Sequence, residues 1–189
     1  LETAAVFGDP FWDAGLAACL ADGMPELGPS IEGEIVVRRA ESQLADTSEL
    51  EFRHALFREV TYERVLLADR RRVHAHAGQW LADRLTASQN AGRIADHLEA
   101  GERGAEAGRW HLAAGRYALG IYANREALDR YRRADALIPD GSDDRLAVLS
   151  GMEQVLDRLG DREAQAGVVE RWREAATSPA ERCGASLAG

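Results

Sequence analysis

The residues best suited to chemistry are a histidine and an arginine one helical turn apart. They lie in the run Leu50-Glu51-Phe52-Arg53-His54-Ala55-Leu56-Phe57-Arg58-Glu59-Val60-Thr61-Tyr62-Glu63-Arg64-Val65. The alternating pair Leu50 and Phe52 runs into helical spacing at Phe57, Val60, Arg64 and Leu67. A strand that delivers an imidazole and a guanidinium to a helix start, where backbone N–H groups lack partners, suits a phosphate. His54 and Arg58 are therefore the candidate phosphate-sensing residues. The ordinary alternative is a packed corner, with His54 bonded to backbone and Arg58 in a structural ion pair.

Nothing else in the chain assembles a reaction. All 23 basic residues are arginine, which excludes a Schiff-base lysine and a P-loop lysine. No Ser-His-Asp or Cys-His order has usable spacing. His74 and His76 are two apart on a predicted helix and face different ways, so no metal set is expected. Catalytic and metal-ligating residues are both read as none.

Several elements must position His54. Phe11 to Asp22 reads as a helix, punctuated by Gly23 and Pro25. Ile31, Ile35, Val36 and Arg39 suggest a second helix ending at Arg38-Arg39. Residues 42–53 carry two short extended pieces around Asp46-Thr47-Ser48. The basic triplet Arg70-Arg71-Arg72 separates the His54 helix from one with Val73, Ala77, Trp80, Leu81 and Leu85 at helical spacing. Thr86 to Gly92 is polar and is the best boundary.

Beyond it the pattern becomes helical hairpins. Trp110, Ala113, Ala114, Tyr117, Ala118 and Ile121 form one stripe, and Ala127, Leu128, Tyr131, Ala134 and Ile138 the next, with Pro139 as a stop. Leu146, Leu149, Met152, Leu156 and Leu159 face Ala164, Val168, Val169, Trp172 and Ala176 across Gly160-Asp161. Ser142 before Asp143-Asp144 reads as a helix cap. The similar turns at Gly101–Ala105, Tyr122–Ala127 and Gly160–Ala164 suggest repeats near the tetratricopeptide length, the first irregular. Stacked hairpins form grooves, so Tyr117, Tyr122 and Arg125 are the candidate contacts for a protein or peptide partner.

The expected fold is mainly α. It has a winged-helix-like domain with a small β-hairpin over 1–70 and a connecting helix over 71–90. An α–α superhelix of tetratricopeptide-like hairpins follows over 91–178, then a flexible tail over 179–189. Hydrophobic residues make up 46% and charged residues 29% of the chain, as in globular proteins. Net charge is −9, which disfavours a general nucleic-acid binder. Arg38-Arg39 sits among Glu32, Glu34 and Glu41, so DNA contact there is disfavoured too. No apolar run reaches membrane-spanning length. Cys19 and Cys183 lack metal spacing and fit a reducing cytoplasm. Leu1 and Gly189 read as the cut ends of a longer protein.

Residues up to about 140 resemble the region that follows the nucleotide-binding domain in bacterial STAND-type and AAA-like ATPases. These include LuxR-type regulators and ATPases linked to class III nucleotide cyclases. The resemblance rests on Ala4-Ala5-Val6-Phe7-Gly8-Asp9-Pro10-Phe11-Trp12, Phe52-Arg53-His54-Ala55-Leu56-Phe57-Arg58-Glu59-Val60-Thr61-Tyr62-Glu63, Arg71-Arg72-Val73-His74 and Tyr122-Ala123-Asn124-Arg125-Glu126-Ala127. It implies a non-enzymatic regulatory fragment packed on an ATPase domain upstream in the parent protein. His54 and Arg58 would approach that domain's ATP or ADP, with no cofactor held by the fragment itself. A DNA-binding winged helix with a helical-repeat sensor is the alternative.

Overall fold

The computed structural model describes residues 1–20, 23, 26–85 and 88–176. It is mainly helical, with one small antiparallel sheet. Two units are distinct: residues 1–86 with 97–102, and 87–96 with 103–189.

The first unit is built on aromatic packing. Helix α1 (Glu2–Phe7) leads to strand β1 (Phe11–Trp12) and helix α2 (Asp13–Cys19). The short helix α3 (Gly28–Glu32), strands β2 (Val36–Arg38) and β3 (Glu49–Phe52), and helices α4 (Ala55–Arg64) and α5 (Leu67–Arg84) follow. Strand β3 is central. Phe11 lies opposite Leu50 on one side, and Val36 lies opposite Phe52 on the other. Phe7 meets Trp12 and Trp80 edge to face, at 6.3 and 5.8 Å between ring centroids, and all three rings are buried. Such pairs add to the stabilisation from burying large apolar surfaces. Helix α2 approaches this cluster closely enough that a Cβ on Gly15 would stand 2.8 Å from the Phe7 ring.

Polar residues fasten the sheet. Asp13 Oδ1 accepts from the Thr47 hydroxyl at 2.5 Å and from the Ala14 and Ser48 amides at 2.7 and 3.1 Å. Burial alone would raise the Asp13 pKa. Those donors favour the carboxylate more strongly and hold it below 3.8. Glu49, buried on β3, is satisfied by Arg39 at 2.6 Å and the Gln43 amide at 2.8 Å.

Several sequence expectations change here. Phe11 and Trp12 are a strand rather than a helix start, because they pair with β3; Asp22 and Pro25 lie outside the described residues. The helix expected over Ile31 to Arg39 stops at Gly33. Glu34 then takes a left-handed φ of 53°, and Val36–Arg38 becomes a strand. The i, i+4 spacing of Ile31 and Ile35 imitates a helix, but Val36 and Val37 are β-branched and find a partner strand. Only Glu49–Phe52 is extended within 42–53, with Asp46 turning the chain at φ 60°. Arg70-Arg71-Arg72 is not a separator: it lies inside α5, which starts at Leu67.

The second unit stacks helices. A single turn at Ser88–Asn90 leads into helix α6 (Ala91–Ala100), of which residues 91–96 count with this unit. Helices α7 (Gly104–Gly120), α8 (Asn124–Leu137), α9 (Asp143–Leu159) and α10 (Arg162–Ala175) each pack on the next. Most of the expected stripe residues form the core, with Leu128, Tyr131, Leu149, Met152, Leu156 and Val168 buried together, whereas Ile121 and Leu159 are exposed. Ser142 accepts from the Asp144 amide at 3.2 Å, the expected cap, and Asp161 caps α10 in the same way. Helices α7 and α8 form one hairpin, and α9 and α10 another at nearly the same offset. The short spacing from Ala105 to Ala127 is therefore not an irregular repeat: it joins the two arms of a single hairpin. The tail from residue 179 and Cys183 lie outside the described residues.

Candidate functional site

Strand β3 delivers His54 to the start of α4, as the sequence suggested. His54 is the extended N-cap residue, at φ −134° and ψ 129°. Its side chain makes no capping bond; the exposed ring lies 5.7 Å from that of Phe57. Arg58 turns elsewhere. Its Nε donates to the Ala5 carbonyl at 3.2 Å, tying α4 to α1. The two candidate residues thus share a helix start but have separate contacts.

Helix α4 presents the opposite face from the one its apolar spacing implied. No residue of it is buried. Phe57 and Val60 are 44% and 50% exposed, and beside them Leu56, Leu66 and Leu67 are 61–72% exposed. The inward side carries Arg58, Thr61 and Tyr62, with Val65 buried beyond the end of the helix. Large apolar side chains exposed so close together in the chain are the usual mark of a surface that is covered in use. A helix reading that assigns apolar residues inward cannot find this face, since its inner contacts are polar.

The basic triplet serves helix ends. Arg70 donates to the Val65 and Glu63 carbonyls at 2.8 and 2.7 Å, closing the end of α4, and its guanidinium lies 4.5 Å over the Tyr62 ring. Arg72 donates to the Cys19 carbonyl at 3.0 Å, closing α2. Such contacts satisfy carbonyls that have no intrahelical partner. Arg71 pairs with Glu102 at 3.1 Å. Cys19 is buried, and burial pushes its thiol pKa up to about 12, although the Arg72 charge opposes the shift.

Beneath α4 is a histidine pair. His74 Nδ1 stands 2.9 Å from His97 Nδ1, and His74 Nε2 stands 3.3 Å from the Tyr62 hydroxyl. A consistent assignment has Tyr62 O–H donating to His74 Nε2 and His74 Nδ1–H donating to His97. Burial lowers the His74 pKa to about 4, and the Arg58 and Arg70 charges add to the shift. His76 is exposed and does not join the pair.

In the second unit Tyr122 is 76% exposed in the α7–α8 turn, at a φ of 62°. The Arg158 guanidinium lies 5.3 Å from its ring centroid. Tyr117 is half-buried on α7, and Arg125 is exposed in the first turn of α8. No hydrogen bond, ion pair or ring contact among the described residues joins these two to Tyr122. Sequence reading passed over Arg158, whose partnership with Tyr122 depends on α9 packing beside α7. Arg38 and Arg39 are engaged within the first unit, Arg38 by Ser48 at 2.8 Å and Arg39 by Glu49 and Glu51. No helix among the described residues is long and apolar enough to cross a membrane. Comparison with protein-family models, with curated proteins and with solved structures gives no match to this chain.

Proposed function

We propose that this chain is a non-enzymatic regulatory module of a larger signalling ATPase. Its first unit docks through α4 on a nucleotide-binding domain of the same polypeptide, and its helical unit binds a protein or peptide partner. The observation that carries this reading is the exposed set Leu56, Phe57, Val60, Leu66 and Leu67. Covering each such side chain contributes roughly 1.5–3 kcal/mol, ample to hold a neighbouring domain. His54 stands on the rim of that face at a helix start, where it would meet the nucleotide phosphates of the docked domain. Arg58 holds α4 in place through Ala5.

The β2–β3 hairpin between helices supports the winged-helix-like reading of the first unit. The matching offsets of α7–α8 and α9–α10 support the tetratricopeptide-like reading of the second. A difference in α4 contacts between ATP and ADP states would then bias the partner-binding unit. The DNA-binding alternative draws less support, because Arg38 and Arg39 are already held by Ser48, Glu49 and Glu51.

The test is amide hydrogen exchange across α4 in the parent polypeptide, with ADP and with a non-hydrolysable ATP analogue. The expected result is protection of residues 55–64 that changes with the nucleotide and is lost in Phe57→Glu. A parent reading frame without a nucleotide-binding domain would overturn the reading. So would α4 exchange that is identical with and without that domain.

A further inference from the structure

Helices α7, α8 and α9 enclose an open groove of about 460 Å³. Its floor is Tyr131, only 1% exposed, whose hydroxyl lies beside Gly151, itself a lining residue. No hydrogen bond among the described residues claims that hydroxyl. Arg116 from α7 and Arg158 from α9 stand at the sides, with Ser150 and Gln154 between them along α9. Among the described residues neither arginine has an acidic partner; Arg158 only donates to the Leu119 carbonyl at 3.1 Å. Both are exposed side chains, whereas the partly buried Arg130, Arg145 and Arg171 are matched. Arg145 and Arg171 both pair with Asp135, and Arg130 pairs with Asp96.

A buried phenol with an unused donor, flanked by two guanidiniums in a chain of net charge −9, is a preformed anion site. The groove is much larger than one carboxylate needs. The Arg158 guanidinium also lies 5.3 Å from the exposed Tyr122 ring, and Ile121, next in the chain, is exposed too. A ligand that fills the groove carries an acid at its centre and apolar groups at one end.

We infer that the α7–α8–α9 groove binds an acidic peptide segment of a partner protein. One carboxylate sits between Arg116 and Arg158 over the Tyr131 hydroxyl, and an apolar residue packs at Tyr122. This gives the helical unit a ligand chemistry. It rests on the proposed function only in taking that unit as the partner-binding half, and the tests are separate: the exchange experiment reads α4, the titration below reads the groove.

The probe is a capped peptide of four glutamates and two leucines, compared with its glutamine counterpart and with inorganic phosphate. Each is titrated into the 189-residue chain while the arginine Nε–H and backbone amide NMR signals are followed. The glutamate peptide should shift the Arg116, Arg158 and Gly151 signals, and the glutamine copy should bind at least about tenfold more weakly, the loss of one charge-assisted contact. Arg116→Gln and Arg158→Gln should each weaken binding by a similar factor without changing the melting temperature. Tyr131→Phe, which keeps the ring, should weaken it less. Equal binding of the two peptides, shifts confined to other residues, or variants that bind like the parent would overturn the proposal. Phosphate that saturates the same signals at equal concentration and displaces the peptide would also overturn it, making the groove a small-anion site.

Discussion

The two units leave different side chains at their surfaces. In the first, Arg58, Arg70 and Arg72 are spent on backbone carbonyls, and leucine, phenylalanine and valine are left outside on α4. In the second, the large stripes are buried around Tyr131, and Arg116 and Arg158 are left facing a groove. Each unit therefore exposes what its own core did not consume. One offers an apolar face suited to a permanent neighbour, the other a cationic groove suited to an exchangeable ligand.

The sharpest way to test that contrast is by truncation inside and outside the first core. Trp80→Ala should cost about 3–5 kcal/mol, because the ring is buried against Phe7 and Trp12. Leu56→Ala, on a side chain 66% exposed, should stay within about 0.5 kcal/mol. Urea unfolding measures both; a comparable loss at Leu56 would mean that α4 is packed rather than presented.

In the second unit the same comparison is made with glycines. A Cβ at Gly151 would run into the Tyr131 ring, whereas one at Gly167 on α10 meets nothing. Gly151→Ala should cost about 2–3 kcal/mol by overpacking, and Gly167→Ala should gain up to about 1 kcal/mol. If the two shift the urea midpoint alike, Tyr131 is not gripped as described.

A pH titration probes the first unit next. His74 has a folded pKa near 4, below its ordinary 6.5. The unfolded chain takes up that proton first, so stability is full above about 6.5 and falls as pH drops toward 4. The expected loss is about 2 kcal/mol, allowing for the ring's partial exposure. Asp13, whose pKa lies below 3.8, loses its contribution only at lower pH. Thermal melts between pH 7 and 4 should show the slope, and His74→Asn should flatten it; an unchanged slope would assign the titration elsewhere.

The smallest effect expected is at a helix end. Arg70→Gln removes the donor that closes α4 and should cost about 1 kcal/mol, mainly as faster amide exchange over residues 60–65. Uniform exchange across the first unit would show that Arg70 supports the whole unit rather than one end of α4.

The sequence made the helical unit legible for a physical reason. Its helices are long, and stripes such as Leu149, Met152 and Leu156 repeat often enough to give both period and inward face. The cap at Ser142 is local chemistry and was readable as well, whereas Asp161 was read only as part of a turn. The β-sheet was harder. Strand β1 is two residues long and β2 three, too short for alternation to outweigh the helical spacing of neighbouring residues. The α4 face was misread because its inward residues are Arg58, Thr61 and Tyr62, which a hydrophobic pattern sends outward. The groove was invisible because Arg116 and Arg158 belong to different helices, and only tertiary packing brings them to one ring.

That ring has a mechanical consequence. Tyr131 is approached closely by Gly115 of α7 and by Gly151 of α9, with backbone where side chains would otherwise yield. A phenol clamped in this way can turn over only when α7 and α9 part. The exchange of its two edges in NMR spectra is therefore a clock for the breathing of the helical stack, running without any ligand and slowing when one settles in the groove.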